Sequence, residues 1–175
     1  MNYTSDPVSR VQLRNYARSI KEAIGLTGKL YFPVLQFLEC FSELNQDPSF
    51  YYEVIDDYRL PGNIHAEYDY DNNCIRIKES VYRGAYNGNG RDRMTIMHEL
   101  SHVLLLKMSG LRLYRSFDNE SNQYKAYCDP EWQAKCLAGE FMVDADMVRG
   151  MTVHEVAEKC GVSQQAATVQ LKSIK

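Results

Sequence analysis

No stretch of this sequence approaches the roughly 20 consecutive apolar residues that cross a bilayer. Its apolar runs are short, such as Val103 to Leu106. The segment Met1 to Arg10 is polar and lacks the apolar core of a signal peptide. Both absences lead to the expectation of a cytoplasmic protein. Cysteine is scarce and odd in number: five residues, at 40, 74, 128, 136 and 160, none in a C-x-x-C pair. That argues against a disulfide framework or a thiolate metal site and for reduced, buried thiols. An excess of one charge is also missing. The net charge of -3 provides no broad attraction to nucleic acid or anionic lipid. Neither an internal repeat nor a low-complexity tract is present.

What remains is an ordinary globular composition. Hydrophobic residues make up 45% and charged residues 25%, enough apolar surface for a buried core. Ser9 caps a first helix that ends before Gly25, with Val11, Leu13, Tyr16, Ala17 and Ile20 as its apolar stripe. A second helix begins at Pro33 and ends at Asp47-Pro48, burying Val34 to Leu44. Phe50 to Ile55, His65 to Tyr70 and Cys74 to Lys78 have strand composition, the last two forming a hairpin around Asn72-Asn73. In the second hairpin strand Ile75 and Ile77 share one face, Arg76 and Lys78 the other.

A short helix follows from Ser80 to Tyr86, then a long one from Asp92 to Met108. Leu111 to Asp129 is irregular and polar. Asp129-Pro130-Glu131 opens another helix, with a capping Asp, a first-turn Pro and a Glu at the positive end of the dipole. Thr152-Val153-His154-Glu155 is a capping box, and Ser163 caps a last helix to Lys172. The fold class expected is α+β. It comprises a mainly helical domain over residues 1–150 with a small antiparallel sheet of about three strands. A helix-turn-helix-like pair over 151–175 is packed on that domain or appended to it.

His98-Glu99-Leu100-Ser101-His102 is an H-E-x-x-H motif inside the long helix. Spacing i, i+4 puts both imidazoles on one helical face, where two ring nitrogens can meet one zinc ion. Glu99 lies beside them, close to the metal but not on it, as a general base requires. With only four histidines in the chain, about 0.006 such motifs are expected by chance. A third ligand is needed, and no further His follows at short spacing. His154 decorates a different helix. The candidates are Glu120, Asp129, Glu131 and Glu140. Glu131 is chosen because Ala134 and Ala138 on the same helix allow close packing against the His98 helix. The competing role for Glu131 is simple stabilisation of its own helix start.

The segment Arg91-Asp92-Arg93-Met94-Thr95-Ile96-Met97 and the motif after it resemble the ImmA/IrrE family of metallo-endopeptidases. So does Glu131-Trp132-Gln133-Ala134-Lys135-Cys136-Leu137-Ala138-Gly139-Glu140-Phe141-Met142. Leu137 stands where the family usually has Phe, Lys135 where it has Asn, and Val143-Asp144 where it has Met-Pro. These departures touch packing rather than ligands. The resemblance implies a zinc endopeptidase with Glu131 as third ligand. It also implies a cytoplasmic substrate, a helix-turn-helix repressor of a phage or mobile element.

On that reading zinc sits on His98, His102 and Glu131, and Glu99 is the catalytic base. A substrate strand is expected along the hairpin edge near Ile75 and Ile77. Tyr82, Tyr114, Tyr124 and Arg93 are open candidates for stabilising the oxyanion. Two alternatives stand beside it. One is a zinc-containing anti-repressor that binds without cutting. The other is a DNA-binding regulatory module built on Thr152 to Lys172. The tail is poor for DNA: Lys159, Lys172 and Lys175 face Glu155 and Glu158, and its last helix has no Arg.

Overall fold

The computed structural model describes residues 2–108, 113–116 and 126–174. Strand β1 (Asn2–Ser5) precedes helix α1 (Arg10–Ala23). Ser9 and Gln12 close a capping box at the start of α1. The buried stripe of α1 is Leu13, Ala17 and Lys21. Val11, expected on that stripe, is 61% exposed because it lies outside the i, i+4 row.

The second expected helix is two pieces, α2 (Val34–Glu39) and α3 (Phe41–Leu44), divided at Cys40 with φ -91° and ψ 2°. The bend lets Phe41 pack edge-on against Phe37 and also reach Phe50, with ring centroids 5.4 and 4.8 Å apart. Local pattern gave no sign of it, since the aromatic partner Phe50 comes from a later segment.

Strands β2 (Tyr51–Ile55), β3 (Ala66–Asp69) and β4 (Cys74–Lys78) form one sheet in the order β2-β4-β3. β3 and β4 are the expected antiparallel hairpin, with Tyr68 opposite Ile75. β2 runs parallel to β4, so the sheet is mixed rather than antiparallel. The strand richest in alternating apolar residues takes the centre, and Ile75 and Ile77 are wholly buried. Lys78 is buried as well, its ammonium donating to the Pro61 carbonyl.

Helices α4 (Glu79–Tyr86) and α5 (Gly90–Lys107) follow. Strand β5 (Leu113–Ser116) pairs antiparallel with β1, a two-stranded unit not anticipated from the sequence. Helix α6 (Pro130–Met142) packs along α5, and α7 (Val153–Cys160) and α8 (Gln164–Lys172) complete the fold. Ala134 and Ala138 are buried in α6, as close helix packing requires.

One core runs through the described residues. Val156, Cys160, Val162 and Ala167 of the terminal pair share it with Ile96, Leu100 and Leu137. Three devices fasten the pair. A Cβ on Gly90 would lie 2.3 Å from the Val162 carbonyl carbon, so only glycine permits that approach. Gly161 takes the left-handed conformation at φ +63° and lets α7 end there. Arg93, fully buried, donates to the carbonyls of Cys160, Gly161 and Phe32 while lying over the Tyr31 ring.

Candidate metal centre

Asn89 caps α5 by accepting from the backbone N–H groups of Arg91 and Asp92. The helix then delivers His98 and His102 to one face, one turn apart, with ring centroids 4.7 Å apart. Asp129 caps α6 by accepting from the Glu131 N–H, which sets Glu131 in the first turn. Because α6 lies against α5, that carboxylate reaches both imidazoles. Nε2 of His98 is 3.2 Å from Nε2 of His102 and 3.2 Å from Oε2 of Glu131. Nε2 of His102 is 3.2 Å from Oε1 of Glu131.

The two imidazole nitrogens meet each other and each meets one oxygen of the same carboxylate, a donor set that could hold one metal ion. Ligands of a tetrahedral ion with bonds of about 2.0–2.1 Å lie about 3.3 Å apart. The separation between the imidazole nitrogens, and that from each to its own carboxylate oxygen, has that size, so these residues fit such an ion. The two imidazole nitrogens hold the Glu131 carboxyl well below the usual carboxylate range. With Nε2 on a metal, Nδ1 of His102 would be a donor, and the Tyr70 hydroxyl lies 3.3 Å from it. Tyr70 thereby braces the ring on its Nδ1 side, opposite the site. Sequence reasoning missed it. Its only signal is an aromatic residue just beyond β3, and nothing local ties that position to His102.

Glu99 is 9% exposed. Burial, with Glu131 nearby, pushes its carboxyl up to about 7, while His98 and the Tyr68 backbone N–H pull it down in part. A carboxyl poised near neutrality can both take and return a proton. β3 is the sheet edge next to α5. Lys78 donates to the His65 carbonyl, which makes His65 a bonded partner of β4, and the alternation continues through Glu67 and Asp69. Ala66 and Tyr68 therefore turn their backbone groups outward. The strand edge beside the metal centre is β3, not the strand of Ile75 and Ile77, whose both edges are already paired.

The other candidates fall elsewhere. Asp129 is a helix cap. Glu140 is buried against Arg10 and Arg14, each 2.9 Å away. Glu120 lies outside the described residues. Arg93, offered for the oxyanion, spends its guanidinium on the three carbonyls that hold the terminal pair. Tyr82 stacks on Tyr52 with its hydroxyl turned to Glu39. Tyr124 lies outside the described residues, as does the side chain of Tyr114. His154 is exposed on α7, as expected.

No curated protein matches the chain. Among solved structures, a Mycobacterium tuberculosis transcriptional regulator is similar in fold, with a TM-score of 0.59 and 16% identity over 90% of this chain. The present chain spans 45% of that protein. No helix among the described residues is long and apolar enough to cross a membrane. A family model, the IrrE N-terminal-like domain of the M78 peptidases, matches residues 57–172, which include the sheet's hairpin, both histidines, Glu99 and Glu131. With the match covering well over half of its length, the chain belongs to the IrrE N-terminal-like family of M78 peptidases.

Proposed function

We infer that this protein is a zinc endopeptidase of the cytoplasm that cuts a helix-turn-helix repressor of a phage or mobile element. The observation that carries the reading is the convergence of the His98 and His102 ring nitrogens on the Glu131 carboxylate beside a buried carboxyl. His98, His102 and Glu131 would hold the zinc. When bound, the ion supplies Lewis acidity to the scissile carbonyl and the attacking water. The remaining work belongs to the chain's own groups. The outward backbone of β3 aligns an extended substrate segment beside α5. Glu99 takes a proton from the attacking water and returns it to the leaving amine. The water oxygen ends on the new carboxyl group and the C–N bond breaks. Tyr70, on the Nδ1 side of His102, holds the ring with Nε2 toward the site.

The test is incubation of the purified chain with a repressor encoded beside it, with zinc and with chelator, followed by mass spectrometry. Zinc-dependent fragments are expected. Glu99→Gln should bind zinc and cut nothing, whereas His98→Ala should fail to hold the metal. Fragments produced equally well by Glu99→Gln would remove Glu99 as the base. A repressor bound and never cut would turn the reading into that of a non-cleaving anti-repressor.

A further inference from the structure

Beside the metal centre runs a groove of about 530 Å³ between α5, α6 and α8. His98 forms one end of it. Met94 and Trp132 supply one wall, Ala166 and Val169 the other. Val169 is 58% exposed, an apolar side chain turned to a cleft rather than to the core. Exposed Arg91 and Lys135 stand on the rim, and no carboxylate is among the lining residues. The third cation there, Arg10, is committed to Glu140 and Gln170.

The position of the groove along α5 fixes which part of a substrate it meets. Arg91 contacts His65 at 3.0 Å, Glu99 faces the Tyr68 N–H, and His102 contacts Tyr70. The chain from His65 through β3 to Tyr70 thus runs in the same direction as α5. A substrate paired antiparallel to β3, the stronger ladder, therefore runs from the Tyr70 end toward the Arg91 end. The groove begins at His98 and extends toward Arg91, so it lies on the side that receives residues following the scissile bond.

We propose that this groove is a specificity pocket that takes a large apolar side chain immediately after the cut bond, followed by acidic residues met by Arg91 and Lys135. The inference rests on the peptidase reading. It gives α8 a defined task. The helix in the place of a DNA-reading helix instead forms a wall of the substrate cleft.

Trp132 is the only tryptophan in the chain, so its fluorescence reports occupancy without any turnover. In one arm the Glu99→Gln protein is titrated with acetyl-Ala-Ala-Phe-Glu-Glu-amide and with acetyl-Ala-Ala-Gly-Lys-Lys-amide. A saturable change with the first and none with the second is expected, and Lys135→Glu should weaken the first about tenfold. In the other arm the zinc-loaded wild type digests a synthetic peptide library, with cut sites read by mass spectrometry. Phe, Leu or Met should be enriched directly after the cut, with Asp or Glu in the next positions. Val169→Trp, a change at an exposed position that fills the groove, should lower the preference for large over small residues about tenfold. Equal responses of Trp132 to both peptides would overturn the proposal, as would enrichment confined to residues before the cut. A saturable, selective Trp132 signal with no cutting of any library peptide would support the groove as a peptide site and overturn the peptidase reading instead.

Discussion

At the scale of single residues, the buried carboxyl of Glu99 links chemistry to stability. Burial holds this carboxyl up at about 7, above the ordinary value of 4.5. The folded protein therefore holds this proton more tightly than the unfolded chain does. For the metal-free protein, that contribution disfavours the fold as pH rises from about 4.5 to 7, and fully so above that window. Glu99→Gln removes the cost. We expect the metal-free variant to gain about 1–3 kcal/mol at pH 8 and little at pH 4, measured by urea denaturation at both pH values. A variant no more stable at pH 8 than the wild type would show that burial does not burden this carboxyl. Tyr70 makes a second residue-scale case. Tyr70→Phe leaves the three donor atoms in place and removes only the hydroxyl beside Nδ1 of His102. Zinc affinity should fall about tenfold, read by competition with a chromophoric chelator. Unchanged affinity would mean that His102 is oriented by its packing alone.

At the scale of elements, the terminal pair is held by contacts that tolerate little substitution. Gly90 opens α5 where the chain between α7 and α8 crosses it, and Arg93 satisfies three carbonyls from one buried guanidinium. Gly90→Ala must push α8 away from α5, at a cost of about 1–3 kcal/mol. Because α8 also walls the groove beside His98, this variant should show faster amide exchange in 153–172 and a lower Tm. A Tm within a degree of wild type would refute the tight approach. A different element contact sets α1 on α6. Glu140 lies between Arg10 and Arg14, and Lys21 donates to its backbone carbonyl. Removing the carboxylate with Glu140→Ala leaves Arg10 with Gln170 alone and takes away the acceptor of Arg14, both partly exposed, at an expected cost of about 1–3 kcal/mol, visible in chemical denaturation.

At the scale of the whole molecule, surface carboxylates set the acid limit. Asp47 is held low by Lys107, Ser49 and Asn73, Asp57 by Ser80, Asp69 by Asn72, Asp146 by Arg149 and Glu155 by Thr152. Each has a folded pKa below its unfolded one. Each therefore contributes stability above about pH 4 that is lost as pH falls through the folded values. The molecule should lose stability steadily below pH 4, and Asp47→Asn should flatten that decline, as followed by circular dichroism. An unaltered slope would place the acid sensitivity elsewhere.

How much was legible beforehand differs by residue. Caps at Ser9, Asp129, Thr152 and Ser163 were readable because a helix start is a local contest between a side chain and a few backbone N–H groups. The pairing of His98 with His102 was readable for a similar reason, since helical periodicity alone puts them on one face. Glu131 is chosen on the small residues of its helix face, with a role in stabilising its own helix start as the competing reading. Its approach depends on how α6 lies against α5, a long-range contact that no local pattern encodes. The same holds for the parallel pairing of β2, the bend at Cys40, the hydroxyl of Tyr70 behind His102 and the burial of Arg93 away from the cleft. Chain-local energetics thus determined the helix starts and the shared face of His98 and His102. Packing between distant segments decided which strand faces the centre, which carboxylate completes it and what lines the groove beside it, because those choices are settled only when surfaces far apart in sequence exclude water together.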